Sequence, residues 1–245
     1  GQCAVDDQLV LGADATPVRV RSLHVQNQSA PKTEFGDRTA MNLVGVEAEK
    51  VQRGDWITKN VVHLPTSNVT VQLSVLRDFP RTVRHRSPVH IYHATSHHLG
   101  RVALLESNAA DPGSEQLADL LVESEMQVKV GDSLIIRDHD LGRTMGGGLV
   151  IALDEPSARR RSPARLDMLN RLRSASIQQD PVESLLEMCR HKPVHFDRFR
   201  RSWNLTESDA NRLRSLPSLT FKNDFVLHDE YLTTQSSAFT ATLKE

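Results

Sequence analysis

The first 64 residues alternate hydrophobic and polar positions in short runs, which is the period of half-buried β-strands. Gly45 ends one run, and Gly54-Asp55 is a turn signal between two others. The predicted strands are residues 9–11, 18–23, 39–43 and 56–57. Residues 1–64 are therefore expected to form a small antiparallel β domain, either a barrel or a sandwich.

A second β module is predicted over residues 68–155, after a turn cluster at residues 65–68 that marks a domain boundary. Residues 69–76 alternate cleanly, with valines and leucines on one face. Residues 109–113 are predicted to form a loop. The further predicted strands are residues 89–93, 100–105, 117–122, 126–130, 133–137 and 143–151. Many short strands separated by turns are typical of a second small β domain.

The pattern changes to a helical period after a basic linker at residues 156–165. Asp180 is a predicted N-cap, and Thr206 begins a predicted capping box. The predicted helices are residues 166–174, 181–189, 195–203 and 206–215, with another from Tyr231 onward. Two short strands, 219–221 and 225–227, form a hairpin between the last two helices. Helices followed by a hairpin predict a winged helix over residues 166–245. The fold class is mainly β with a C-terminal α/β part.

Composition narrows the function classes. The 245-residue chain has a formal net charge of −1, so any nucleic-acid site has to be a local patch. Cys3 and Cys189 lie far apart, which indicates no disulfide framework and suits the reducing cytosol. No apolar run approaches the length of a membrane-spanning helix, and no signal peptide opens the chain. These features predict a cytoplasmic protein with no membrane partner.

Two stretches about a hundred residues apart carry a resemblance to a known family. The first has a glycine, a hydrophobic strand, a charged connection and an R-G-x-hydrophobic ending, at Gly36, Leu43, Gly45, Glu49, Arg53 and Gly54. The second is an R-T-x-G-x-G-x-V pattern, at Arg143, Thr144, Gly146, Gly148 and Val150. Together they resemble the second and third domains of translational GTPases of the elongation factor Tu type. The sequence of residues 18–28 looks most like the bacterial selenocysteine-specific branch of this family.

This resemblance implies two small antiparallel β-barrels followed by a winged helix. It implies a role in carrying selenocysteyl-tRNA to the ribosome at a recoded UGA. In a full-length parent, GTP and magnesium would be bound by a preceding GTPase domain, and an mRNA hairpin by later C-terminal domains. This chain holds neither a G-x-x-x-x-G-K-[ST] phosphate loop nor an N-K-x-D motif, so no catalysis and no cofactor are expected in this segment. Strands of the first barrel are expected to precede residue 1.

The resemblance singles out Arg38, which falls at the position of an arginine in the aminoacyl pocket of the selenocysteine-specific branch. The chemistry fits, because a selenol is mostly ionised at neutral pH whereas a serine hydroxyl is not. A guanidinium stays protonated and forms charge-assisted contacts with an anion. Arg38 would therefore separate selenocysteine from serine by charge. A surface arginine at a strand edge is the alternative.

The histidines between residues 85 and 98 do not predict a metal site. His90 and His93 lie on one strand at a spacing that points them to opposite faces, and His97 and His98 diverge likewise. No carboxylate or cysteine lies at ligand spacing. The resemblance implies instead that this region faces tRNA. The predicted tRNA contacts are Arg77, Arg81, Arg84, Arg86, His97, His98, Arg101 and Arg143. A solvated charged face is the alternative, since residues 68–155 hold eight basic against twelve acidic side chains.

Residues 156–203 are the most basic stretch, with eleven Lys or Arg against five Asp or Glu. Such a patch could touch RNA through phosphate and shape. The predicted contacts are Arg159, Arg160, Arg161 and Arg165. Direct recognition of the mRNA hairpin is not expected here, because the resemblance assigns it to winged helices farther along. A spacer between domains is the alternative.

Three other functions remain open. A general elongation-factor paralogue could carry ordinary aminoacyl-tRNA, although a winged helix after the third domain argues against it. A transcription regulator could combine a β-barrel sensor with a winged helix, in which case Arg38 would be incidental. The third alternative is an enzyme that acts at the histidine cluster.

Overall fold

The computed structural model describes residues 1–59, 64–153 and 159–242, with side chains up to residue 236. The first 59 residues form an N-terminal unit of short strands. These strands are β1 (Cys3–Ala4), β2 (Gln8–Leu11), β3 (Thr16–Val25), β4 (Gln28–Ala30), β5 (Lys32–Thr33), β6 (Thr39–Val44) and β7 (Ile57–Thr58). Strand β3 is central, because it pairs antiparallel with β2, β4 and β6. A 3₁₀ turn, Ala48–Lys50, lies in the polar connection before β7.

The N-terminal unit buries a small core of its own. Its members are Leu9, Leu11, Val18, Val20 and Leu23. Within the described part of the chain, these strands form a five-stranded sheet and a separate β1–β5 pair, and not a closed barrel. The prediction of a first barrel therefore stays a prediction.

The middle of the chain forms the closed barrel that the sequence predicts. Its elements are β8 (Pro65–Val75), β9 (Val83–Arg84), β10 (Ser87–His93), β11 (Ser96–Leu104), β12 (Ala109–Ala110), β13 (Glu115–Gln127), β14 (Ser133–Asp138) and β15 (Thr144–Ala152). Six of these close in the order β10-β11-β13-β8-β15-β14, and β9 pairs with β12 outside the barrel wall. Valine, leucine and isoleucine side chains at alternate positions fill the interior, as a strand period of two requires.

The C-terminal part is helical with a small sheet. Its elements are α1 (Pro163–Gln178), α2 (Pro181–His191), β16 (Val194–His195), α3 (Phe196–Ser202), α4 (Glu207–Arg214), β17 (Leu219–Lys222), β18 (Phe225–His228) and α5 (Asp229–Thr242). Asp180 caps α2 through the backbone N–H groups of Val182 and Glu183. The predicted capping box at Thr206 and Asp209 is present at the start of α4. The three strands form one sheet in the order β16-β18-β17.

The barrel and the helical part share one hydrophobic core. Leu169 and Leu172 of α1 and Leu185 of α2 belong to the same buried cluster as the barrel valines and leucines. The hydroxyl of Ser176 in α1 donates to the carbonyl of Ile151 in β15 at 3.4 Å. The sequence separates these two parts by a linker, but the structure packs them together. Among the described residues, no helix is both long and apolar enough to cross a membrane.

Four local predictions need correction. Residues 65–68 do not form a turn, since they begin the long strand β8. Residues 117–130 hold one strand, β13, with a bulge between Leu121 and Met126, because the polar residues between them fall at a register shift. The loop at residues 109–113 contains the two-residue strand β12. The linker ends earlier than residue 165, because Ser162 caps a helix that Pro163 begins.

Candidate functional site

Three neighbouring barrel strands present their outward side chains on one surface. In β10, Val89, Ile91 and His93 point into the barrel, so His90 and Tyr92 point out. Cross-strand pairing places Tyr92 between His97 of β11 and Ile135 of β14. It places His90 between Leu99 and Arg137 in the same way. We call this surface the imidazole face; it consists of His90, Tyr92, His97, Leu99, Arg101, Ile135, Arg137 and His139.

Four rings of the imidazole face lie in a column with nearly parallel planes. Ring centroids are 4.7 Å apart between Tyr92 and His97, 5.0 Å between His97 and His90, and 4.9 Å between His90 and His139. Their planes are tilted by 17–25° to one another. The guanidinium carbon of Arg137 lies 5.9 Å from the centroid of Tyr92. The column is thus a continuous aromatic strip flanked by a permanent cation.

His90 and His97 are also joined edge to edge. Nδ1 of His90 lies 2.8 Å from Nε2 of His97, which is a hydrogen bond when one ring nitrogen is protonated and the other is not. Desolvation, followed by the charges of His97, His139 and Arg137, lowers the pKa of His90 below its usual value of 6.5. At neutral pH His90 is therefore mainly uncharged.

The sequence pattern predicts only part of this surface. It separates His90 from His93, and His93 is indeed 7 % exposed on the opposite side of β10, where Trp56 covers it. It also separated His97 from His98, and Nδ1 of His98 lies 3.1 Å from the Ser124 hydroxyl, away from the column. Desolvation and the neighbouring histidines lower the pKa of His98. Tyr92, Arg137 and His139 were not predicted as site residues. The pairing of β10 with β11 sets Tyr92 beside His97, the pairing of β10 with β14 sets Arg137 beside His90, and His139 follows β14 directly.

The N-terminal unit contacts the barrel next to this column. The indole of Trp56 stacks on the imidazole of His93, with ring centroids 5.4 Å apart. Nε2 of His93 lies 3.1 Å from a carboxylate oxygen of Asp132. Burial opposes ionisation of Asp132, but hydrogen bonds from His93 and the Lys129 backbone outweigh it and lower the pKa of Asp132. Gly54 lies against the β10–β11 turn, where an added Cβ would be 2.7 Å from Cα of Ser96.

A cleft of about 590 Å³ lies along this contact. Charged side chains of both signs line it from the two units. The N-terminal unit contributes Glu49, Lys50, Arg53 and Asp55, and the barrel contributes Glu125, with His97 and His98 beside it. The mixed charge favours no single ligand. The cleft does extend the polar surface from the imidazole face onto the N-terminal unit.

The predicted barrel arginines differ in their surroundings. Arg81 donates to Asp138 at 2.6 Å and to Asp140 at 3.2 Å, so its charge is already compensated. Burial opposes ionisation of Asp138, yet the bond from Arg81 lowers the pKa of this carboxyl. Arg101 belongs to the imidazole face and donates weakly to the carbonyl of Arg86 at 3.5 Å. Arg77 and Arg143 are exposed on turns of the barrel, and Arg84 is exposed on the short strand β9.

Three of the four linker arginines bind the barrel itself. Arg160 and Arg165 both reach Asp119, whose side chain is 0 % exposed, at N–O distances of 2.9 Å. Arg161 donates to the carbonyl oxygens of Leu104 at 2.6 Å and Ser107 at 2.8 Å. These contacts occupy the groups that would bind phosphate. The structure thus gives Arg160, Arg161 and Arg165 a structural role, whereas Arg159 is exposed.

His85 takes part in the same contact. Its Nδ1 lies 2.9 Å from Nη2 of Arg161, an arrangement that suits the neutral ring as acceptor. Burial and the adjacent Arg161 charge lower the pKa of His85 below 6.5.

Arg38 lies at the end of a tight loop in the N-terminal unit. A carboxylate oxygen of Asp37 accepts from the backbone N–H of Glu34 at 2.8 Å and from the hydroxyl of Thr33 at 3.3 Å. This holds Phe35 at the loop tip, 90 % exposed. Arg38 is exposed and lies in the loop, immediately before β6.

Two arrangements bear on metal and phosphate binding among the described residues. No three His, Cys, Asp or Glu side chains within residues 1–59, 64–153 and 159–236 are placed to hold a metal ion. The glycine triplet 146–148 lies inside β15, whereas phosphate loops precede a helix N-terminus. An added Cβ at Gly146 would be 2.1 Å from the carbonyl oxygen of Ser74, so this glycine serves the close approach of β8 and β15.

Comparisons with known proteins agree with this architecture. Residues 62–157 match the family model for the β-barrel domain of selenocysteine-specific elongation factors. The chain is 35% identical over 188 residues to the selenocysteine-specific elongation factor of Escherichia coli, covering 76% of this chain and 29% of that protein. It is 31% identical over 173 residues to the Haemophilus influenzae factor, covering 70% and 27%. The chain therefore spans less than a third of these curated relatives.

Solved structures show the same fold. A crystal structure of a bacterial selenocysteine-specific elongation factor, EF-Sec, superposes with a TM-score of 0.71, covering 99% of this chain and 37% of that one at 16% identity. Elongation factor SelB from Methanococcus maripaludis gives 0.54, covering 63% of this chain and 38% of that one at 20% identity. By its barrel and by these sequence matches, the chain belongs to the family of selenocysteine-specific elongation factors.

Proposed function

We propose that this chain is the part of a selenocysteine-specific elongation factor that holds selenocysteyl-tRNA during its delivery to the ribosome. The observation that carries the proposal is the sequence identity with the Escherichia coli factor over three quarters of the chain. In this proposal residues 1–64 correspond to the second β-barrel domain and residues 68–155 to the third. Residues 166–245 correspond to a winged helix.

The imidazole face is the proposed tRNA-contact surface. Aromatic and imidazole rings at the surface of a sheet can stack on bases or ribose, and flanking arginines bind phosphates. The column of Tyr92, His97, His90 and His139 supplies the rings, while Arg101 and Arg137 supply the charges. Arg143, Arg84 and Arg86 extend the positive charge around it. His98 borders the cleft at one end of this surface.

Arg38 is proposed to interact with the ionised selenol of the aminoacyl group. It is exposed beside a loop that Asp37 holds rigidly, so the guanidinium is available to a ligand. Arg159 remains a proposed RNA contact, because it is the exposed arginine of the linker.

The rest of the activity is proposed for the longer protein. GTP and magnesium would be bound by other parts of it, and a GTPase cycle would control tRNA release at the ribosome. The mRNA hairpin would be bound by further C-terminal domains. The helical part after the barrel favours the selenocysteine-specific factor over a carrier of ordinary aminoacyl-tRNA, which ends after its third domain. A transcription regulator is the second alternative, and it predicts binding to duplex DNA.

One binding experiment separates these functions. The full 245-residue chain is titrated with labelled selenocysteine tRNA that carries either selenocysteine or serine, and with a DNA duplex of equal length. We expect tighter binding of the selenocysteyl form, with affinity falling as salt increases because phosphate contacts release counterions. Arg38→Ala should remove the difference between the two aminoacyl forms. Arg143→Ala should weaken both equally, by about three- to tenfold for one lost phosphate contact.

A control variant tests whether a loss of RNA binding is specific to the proposed contacts. Arg171→Ala changes an exposed arginine of α1 that is paired with Asp167, and it should bind like the unmodified chain. Preference for the DNA duplex, or no RNA binding at low salt, would contradict the proposed function.

A further inference from the structure

The hydrogen-bonded histidine pair restricts how many protons the column can hold. Nδ1 of His90 and Nε2 of His97 are 2.8 Å apart, so only one of the two facing nitrogens can carry a hydrogen. A second proton would place two N–H groups, and two positive charges, against each other. His139 stacks on the opposite side of His90 and adds a third imidazole ring.

The surrounding charges act on the pair from every neighbouring element. From β14, Arg137 lies opposite His90 in the register. Tyr92 covers His97 on its own side, and His98 follows His97 along β11. Across the cleft, His97 is accompanied by Glu125 of β13 and by Glu49, Lys50, Arg53 and Asp55 of the N-terminal unit. Asp138 and Asp140, near His139, are already paired with Arg81.

This arrangement disfavours a charged column in the free protein and favours it when an anion is present. Desolvation, followed by the neighbouring His97, His139 and Arg137 side chains, lowers the pKa of His90 in the free chain. A phosphate group beside the rings would offset that repulsion, because a charge-assisted hydrogen bond stabilises the imidazolium form. Phosphate binding and protonation of the column are then linked, so that each favours the other.

We propose that His90, His97 and His139 form a phosphate-binding site that takes up protons when it binds the RNA backbone. The inference rests on the proposed function, since it names RNA as the source of the phosphate. It adds that RNA affinity rises as pH falls through the range in which His90 is uncharged in the free chain. The arginines of the imidazole face, which stay charged, supply the pH-independent part of the affinity.

The test measures tRNA affinity of the full chain between about pH 8 and about pH 5.5 at fixed ionic strength. For each proton taken up, linkage predicts up to about tenfold tighter binding per pH unit. We expect a total gain of about three- to thirtyfold for the unmodified chain across this range. His90→Gln keeps a hydrogen-bonding side chain that cannot be charged, and it should flatten the profile. His90→Lys supplies a fixed charge and should bind tightly at every pH.

The control is His24→Gln, which changes an exposed histidine on β3 of the N-terminal unit and should keep the full pH dependence. Proton uptake is measured independently by calorimetry in two buffers of different ionisation enthalpy. Inorganic phosphate is titrated alone to identify the source of the bound phosphate. If the site binds the RNA backbone, free phosphate at the concentration of the RNA should leave the pH profile unchanged.

The outcomes separate the two proposals. RNA binding with no pH dependence, or with equal pH dependence in His90→Gln, would overturn the proton-linked site and leave the proposed function standing. Absence of RNA binding at every pH would instead contradict the proposed function. Tight phosphate binding that displaces no RNA would show that the site serves a free anion and not the RNA backbone.

Discussion

At the scale of single residues, two neighbouring glycines of β15 meet different surroundings. Gly146 faces β8 so closely that a Cβ would lie 2.1 Å from the carbonyl oxygen of Ser74. Gly147, the next residue, points the other way, and the nearest atom to an added Cβ is the Leu134 carbonyl oxygen at 3.4 Å. The same pattern that resembles a family motif is therefore, at Gly146, a requirement of barrel closure.

Gly146→Ala should destabilise the chain, while Gly147→Ala should be tolerated. The alanine methyl at 146 forces two backbones apart, and overpacking of this kind costs about 1–3 kcal/mol of unfolding free energy. The methyl at 147 is near ordinary contact distance and should change stability by less than about 1 kcal/mol. Urea unfolding followed by circular dichroism measures both. Equal losses in the two variants would show that β8 and β15 are not so closely packed.

At the scale of elements, the segment from Arg160 to Arg165 attaches α1 to the barrel. Asp119 of β13 is fully buried and is held by both arginines, and the hydroxyl of Thr70 in β8 also donates to it, at 2.8 Å. Arg165 Nη2 lies 3.0 Å from that same hydroxyl oxygen. A buried carboxylate with these partners has its hydrogen-bonding capacity satisfied, but it becomes costly when one partner is removed.

Asp119→Asn should therefore lower the free energy of unfolding by about 3–5 kcal/mol, because it leaves two arginines without their shared carboxylate. The matched control is Asp167→Asn, which removes an exposed ion pair with Arg171 at 3.2 Å. Exposed pairs contribute about 0–1 kcal/mol, so this variant should unfold like the unmodified chain. Chemical denaturation measures the difference. Similar effects in both variants would mean that Asp119 is not a buried anchor.

At the scale of the whole molecule, two separate hydrophobic cores have very different sizes. The core of the N-terminal unit holds five buried side chains, whereas the second core runs continuously from the barrel into the helices. Small units bury too little apolar surface to be strongly stable. The contact between the N-terminal unit and the barrel, which we call the seam, depends on the Trp56–His93 stack and on the close approach of Gly54 to Ser96.

The two tryptophans report on these two parts separately. Trp56 lies at the seam and Trp203 is buried in the larger core. Single-tryptophan variants, Trp203→Phe and Trp56→Phe, should give different fluorescence midpoints in urea, with the Trp56 signal changing at the lower concentration. Circular dichroism on both variants controls for the substitutions themselves. Coincident midpoints would show that the chain unfolds as one cooperative unit and that the seam is stronger than its contacts indicate.

The alternation of hydrophobic and polar positions determined most of the elements by itself. Strands β2, β3, β6, β8, β10, β14 and β15 and all five helices occur where the sequence predicts them, because side-chain period and capping residues act locally. Asp180 and Thr206 fixed the starts of α2 and α4 through their own hydrogen bonds. Residues 65–68 were mispredicted, since turn-forming residues can be held in a strand by pairing with β13.

Only the tertiary structure decided which side chains meet. Strand pairing brought His139 and Arg137 to His90 from another strand and its following turn, and no spacing in the sequence records that register. Packing against the barrel likewise turned Arg160, Arg161 and Arg165 from a basic linker into an internal attachment. The physical reason is the same in both cases. Local period specifies an element and its faces, whereas long-range pairing and burial determine the partner that each face receives.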